Sequence, residues 1–173
     1  MATKLNSLSD LFVHELPDIY DAEHQIVKAL PKMAQAATHP ALQQAFEEHL
    51  RQTEGHIRRL DQVFQILGMP AKGRKCEGMA GIIEEGNKLM HGDAPPDVVD
   101  AALIGAAQKV EHYEIATYGC LATYAELLGQ SQIHDLLGQT LNEEEETDQK
   151  LTRIAESVVN RDAEQPAQGR SAR

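Results

Sequence analysis

The stretch that decides the fold is Ile104 to Ala125, IGAAQKVEHYEIATYGCLATYA. Its positions Ile104, Ala107, Glu111, Glu114, Tyr118, Leu121 and Ala125 are spaced by threes and fours, so they share one side of a helix. That side is apolar at both ends and carries two carboxylates in its middle. The same pattern recurs outward along the chain. Upstream, one stripe runs Leu16, Ile19, Glu23, Ile26, Leu30, Met33, Ala37, and another runs Leu42, Phe46, His49, Thr53, His56, Leu60, Val63, Leu67. Downstream, a fourth runs Leu137, Leu141, Glu144, Asp148, Leu151, Ala155, Val158. Two-residue alternation is absent and helix formers dominate, which predicts an all-α protein.

Breaks at Thr38-His39-Pro40, Gly68 to Gly73, Gly92 to Pro96 and Gly129-Gln130-Ser131 cut the chain into segments. Long helices are predicted over 8–37, 41–67, 97–128 and 132–159, with a short one over 77–91. Ser7 or Ser9 and Ser131 are the expected caps, and Asp97 is the first-turn charge of the third long helix. Pro17 and Pro31 fall inside the first helix, where each removes a backbone hydrogen bond. Two short links and one link of nearly thirty residues imply two antiparallel hairpins joined by a long crossover. This order predicts a ferritin-like four-helix bundle whose crossover carries the short fifth helix. The domain is expected over 1–160, with a tail over 161–173.

At 173 residues the chain is long enough for one domain with a real core. Its 16 Lys+Arg against 27 Asp+Glu give a formal charge of −11, which repels phosphate backbones and argues against a nucleic-acid partner. No run approaches the length of a membrane span, and the opening residues MATKLNSLSD are too polar for a secretory signal, so the cytoplasm is the expected compartment. Cys76 and Cys120 lie far apart and outside any CxxC spacing, which predicts two reduced thiols in or near the core.

The central polar residues point to chemistry. A single Glu or His on a stripe is ordinarily a solvated end, but four stripes breaking at related depths predict a shared site. Buried unpaired carboxylates cost several kcal/mol, and these stripes offer almost no Lys or Arg. A pair of metal ions is the simplest neutraliser, and carboxylate with imidazole suits iron or manganese. Counting about 1.5 Å per residue from each hairpin turn puts His56 within roughly 2 Å of the level of Glu23 and His49 about 9 Å away, which favours His56 and leaves His49 open. The same count places Glu111 opposite Asp148, and Glu114 beside Glu144. Tyr118 is expected to support the site by packing or hydrogen bonding, while Glu143, Glu145 and Glu146 read as a solvated face.

Tyr20-Asp21-Ala22-Glu23, the stretch His49 to His56 (HLRQTEGH), Val110 to Ala116 (VEHYEIA) with Tyr118-Gly119, and Thr140 through Asp148 together resemble the YciF-type ferritin-like proteins. The resemblance extends to about residue 160. It implies a bacterial, stress-associated four-helix protein, a homodimer, and a rubrerythrin-like centre for two iron ions or manganese. Glu23 and Glu111-x-x-Glu114 match the di-iron pattern of a Glu on the first helix and a carboxylate pair on the third. The second and fourth long helices depart from Glu-x-x-His: one has Thr53-x-x-His56 with Glu54 one position off, the other Glu144-x-x-x-Asp148. The expected metal residues are Glu23, His49, His56, Glu111, Glu114, Glu144 and Asp148, with the division among His49, Thr53, Glu54 and His56 open. The expected function is a stress-response redox metalloprotein that oxidises ferrous iron or reduces peroxide or dioxygen. The alternative is a non-catalytic structural or interaction bundle with a metal-free polar core, and an iron-storing cage rests on fold analogy alone.

Overall fold

A computed structural model describes residues 5–90 and 93–164. Helix α1 spans Leu8–Ala36, α2 Pro40–Ile66, α3 Glu77–Met90, α4 Pro96–Leu127 and α5 Ser131–Ile154; a π-helical turn, Ala155–Val159, leads into the short α6, Asn160–Glu164. No strand occurs among the described residues. The expected 161–173 tail lies for its greater part, from 165 on, outside them.

The helix ends follow local chemistry. Ser7 Oγ accepts from the Asp10 N–H and caps α1. His39 caps α2 through Nδ1, ahead of Pro40 in the first turn. Gly68 and Gly129 take positive φ, 66° and 70°, and close α2 and α4. The N–H groups of Met69 and Gln130 reach back to the Phe64 and Ala125 carbonyls, so each glycine serves a left-handed C-cap. Ser131 is the first helical residue of α5 and not its cap; Gln130 precedes it without a side-chain bond. α1 is assigned as one helix through both Pro17 and Pro31.

α1 pairs with α2 and α4 with α5 as hairpins; α2 then packs on α5 and α1 on α4, which closes the four-helix cycle. Asp100 of α4, 2% exposed, accepts from the Thr38 N–H (2.8 Å), the Thr38 hydroxyl (2.7 Å) and the His39 N–H (2.9 Å), and so binds the α1–α2 link to the second hairpin. The crossover is fastened at the start of α3. Asp21 accepts from the Cys76 N–H (2.8 Å), Arg74 N–H donates to the Pro17 carbonyl (2.9 Å), and Tyr113 donates to Asp18 (2.8 Å) while the Cys76 thiol lies 3.0 Å from its oxygen. α3 then lies over α4 and α1. Cys76 is buried and Cys120 exposed, and both are free thiols, so only one of the two belongs to the interior.

The core follows the predicted stripes. Every position of the α1 and α4 stripes is buried, and in α2 only Leu67 is partly exposed. In α5 the buried line is Ile133, Leu137, Thr140, Glu144, Thr147, Leu151. Thr140 and Thr147 thus replace the expected Leu141 and Asp148, and the π turn turns Val159 inward in place of Val158.

Candidate metal centre

Midway along the cycle, four helices aim polar side chains at one another. Glu23 comes from α1, His49 and His56 from α2, Glu111 and Glu114 from α4, and Glu144 from α5; none is more than 3% exposed. Their donor atoms form two groups, each within 4.8 Å: Glu23, His56, Glu114 and Glu144, and His49, Glu111, Glu114 and Glu144. Glu114 and Glu144 belong to both. Each group thus has one terminal carboxylate, one imidazole and two shared carboxylates.

The distances are those of donors converging on common points. His56 Nδ1 lies 2.9 Å from Glu144 Oε1 and 3.5 Å from Glu23 Oε1, and His49 Nε2 lies 3.2 Å from Glu111 Oε1 and 3.8 Å from Glu144 Oε2. Even so, eight buried atoms of these six residues lack a hydrogen bond of acceptable geometry, among them both oxygens of Glu114 and of Glu144, His49 Nε2 and His56 Nδ1. Buried polar atoms are normally paired, so eight orphans facing one another form a cluster that could hold a metal ion. Oxygen and nitrogen donors of this kind fit iron or manganese.

Without a cation, protons would balance part of the charge. Burial, reinforced by Glu144 and Glu23, pushes the Glu111 and Glu114 carboxyls well above the usual range. Burial also opposes charge on His56, but the close Glu144 and Glu23 carboxylates outweigh it and raise the imidazole to about 10. Glu144 is held below its ordinary value although burial acts against this, because His56 and His49 favour its anion. His49 is pushed down by burial.

A surrounding layer orients the donors. Glu143 Oε2 lies 2.9 Å from His56 Nε2, which leaves Nδ1 facing the cluster, and Arg59 holds Glu143 while donating to Thr140 Oγ1 at 2.9 Å. Tyr118, fully buried, donates its hydroxyl to Glu23, and its ring packs edge-on to His56. Burial and the nearby carboxylates push that hydroxyl well above its ordinary value, so it remains a donor. Thr53 donates to the His49 carbonyl (2.9 Å), and Thr147 Oγ1 lies 3.5 Å from His49 Nδ1.

Six of the seven expected residues therefore meet. His49 joins although it lies two turns from His56, because the side chains lean together and the ring centroids are 6.3 Å apart. Asp148 lies outside both groups: it is half-buried, accepts from Gln108 (3.1 Å) and lies 3.4 Å from His112 Nε2. Glu54 is exposed. Glu143, expected as solvated face, is the orienting carboxylate that sequence reasoning missed; the signal was Arg59, one turn beyond His56 on the same helix. Of the other histidines, His14 contacts Arg74, His39 caps α2 and His134 contacts the Ala122 carbonyl, whereas His91 lies outside the described residues.

Residues 7–164 match the family described as Domain of unknown function (DUF892). Protein YciF of Escherichia coli (strain K12) is 48% identical over 164 residues, which cover 94% of this chain and 99% of that protein. Among solved structures, the E. coli stress protein YciF superposes with a TM-score of 0.86 at 48% identity. YcfI of Rhodopseudomonas palustris, provisionally described as a structural protein, superposes with 0.86 at 44%. In both cases 90% of this chain and 99% of the other are covered.

Proposed function

We propose, for a chain that belongs to the DUF892 family, the function of a stress-response metalloprotein that holds two iron ions, or manganese, and passes electrons to a small oxidant. The observation that carries this reading is the set of eight orphaned donor atoms in two groups that share Glu114 and Glu144. Glu23 and His56 would hold one ion and Glu111 and His49 the other, with Glu114 and Glu144, common to both groups, available to either. Bound there, an iron pair would supply two electrons, enough with two protons to take dioxygen to hydrogen peroxide or peroxide to two waters. Glu143, steadied by Arg59, fixes the tautomer and direction of His56, and the Tyr118 hydroxyl holds Glu23 in place. A homodimer belongs to the same proposal, and a solution mass of about 38 kDa, twice the 19.1 kDa of the chain, would support it against a cage.

The deciding experiment loads the protein anaerobically with ferrous iron, desalts it and counts metal by elemental analysis. About two irons per chain, lost in Glu23→Ala and Glu111→Ala, support the reading. A count near zero refutes it and favours the second reading, a structural bundle. That reading draws on the imidazole–carboxylate contacts, which give the polar core an internal charge balance without metal.

A further inference from the structure

We infer that the seam of α1, α3 and α4 holds a binding pocket for an apolar molecule the size of dioxygen, opening onto Glu111. The inference rests on the function proposed above for its destination, but not for the pocket itself. α3 lies across α1 and α4, and it approaches α4 closely at Gly86, where a Cβ would stand 3.3 Å from that of Ala106. Beside this contact is a cavity of about 30 Å³ bordered by Ile26, Met33, Ile83 and Ala107. Among the described residues its only polar neighbours are Asn87, half-buried, and Glu111, 1% exposed with Oε2 unpartnered.

Size and lining select the occupant. A single water fills roughly 10–15 Å³, so the cavity accepts a few atoms and is too small for sugars, nucleotides and acyl chains. Water, hydrogen peroxide and a hydrated cation each need several hydrogen bonds, and Asn87 and Glu111 are the two residues of these walls with side-chain groups to offer them. Dioxygen needs none, and apolar pockets take up apolar gases. Glu111 is also a donor of the second metal group, so an occupant of the pocket stands next to the centre. The opposite α2–α5 face has a different character: a hollow of about 200 Å³ bordered by Glu48, Gln52, Glu146, Thr147 and Lys150.

Xenon, an apolar sphere, tests the pocket on the metal-free chain. Methyl resonances of Ile26 and Ile83 should shift saturably with xenon pressure, and Ala107→Leu, which fills the cavity, and Ile83→Trp, which blocks it from α3, should abolish the shift. On chains loaded anaerobically with ferrous iron, both variants should slow oxidation by dioxygen about tenfold while oxidation by hydrogen peroxide keeps its rate. In the dioxygen reaction two ferrous ions become ferric as one dioxygen and two protons become hydrogen peroxide. Absence of xenon binding in the wild type overturns the inference. So does an unchanged dioxygen rate in a folded variant that no longer takes xenon, or equal slowing with both oxidants. A chain that takes xenon but binds no iron refutes the function proposed above and supports the pocket.

Discussion

Replacing Glu114 with leucine should make the metal-free protein more stable while destroying its metal site. Glu114 is fully buried, and neither of its oxygens has a hydrogen-bond partner. Leaving a buried polar group unpaired costs about 1–3 kcal/mol, and an apolar side chain of comparable size removes that penalty. For a domain of this size each kcal/mol moves the melting temperature by about 2–4 °C, so Glu114→Leu should melt roughly 2–12 °C higher in chelator. Glu114→Gln is the control: it keeps unpaired polar atoms, so it should lose metal binding without that gain. Ferrous or manganous ion at a hundred times its dissociation constant should stabilise the wild type by about 2.7 kcal/mol, or roughly 5–11 °C, and move neither variant. Thermal unfolding followed by circular dichroism, with chelator and with metal, measures both effects. A destabilised Glu114→Leu in chelator would show that the carboxylate belongs to a satisfied network. A retained metal shift would show that Glu114 is no ligand. Either result refutes the reasoning.

Three further outcomes follow from the same geometry. Glu143→Gln weakens the partner of His56 Nε2, so metal affinity measured by competition with a chelator should fall about 10- to 100-fold; an unchanged affinity would remove Glu143 from the site. Folded-state values raised for His56, Glu111 and Glu114 mean that the folded metal-free chain holds protons more tightly than the unfolded chain. Its stability should therefore fall as pH rises from about 6.5 towards 10, while stabilisation by metal, which displaces those protons, grows; denaturant midpoints at pH 6.5 and 9 check both signs. Asp100→Ala strips the α1–α2 link of its acceptor and should cost about 2–4 kcal/mol in urea unfolding without altering metal stoichiometry.

The fold and most of the site were legible because the stripes of α1, α2 and α4 carry their polar residues at matching depths. Glu23, Glu111, Glu114 and Glu144 needed only helical period and hairpin counting to be found. What was harder depends on directions that a period does not encode. Along α5, steps of three and four from Glu144 are both compatible with an inward stripe, and packing on α2 brings Thr147 inside and leaves Asp148 at the edge. The level count measured the helix axis, so it set His49 apart from a cluster that its ring reaches by leaning. Glu143 gains its role only across the α2–α5 seam, where Arg59 and His56 await it, and no pattern within α5 marks that partnership.

The division of donors between the hairpins bears on how the molecule assembles. α1 and α2 bring one carboxylate and both imidazoles, whereas α4 and α5 bring three carboxylates, and the crossover separates the two halves. Each hairpin consists of sequence neighbours and can form early, while the docking of one on the other must close the long loop between them. Under the proposed function, a cation bound by donors from both halves would be a reversible staple across that loop. Metal supply would therefore bear on how firmly the two halves stay together, and the cation would be a structural member of the fold as well as a reactive one.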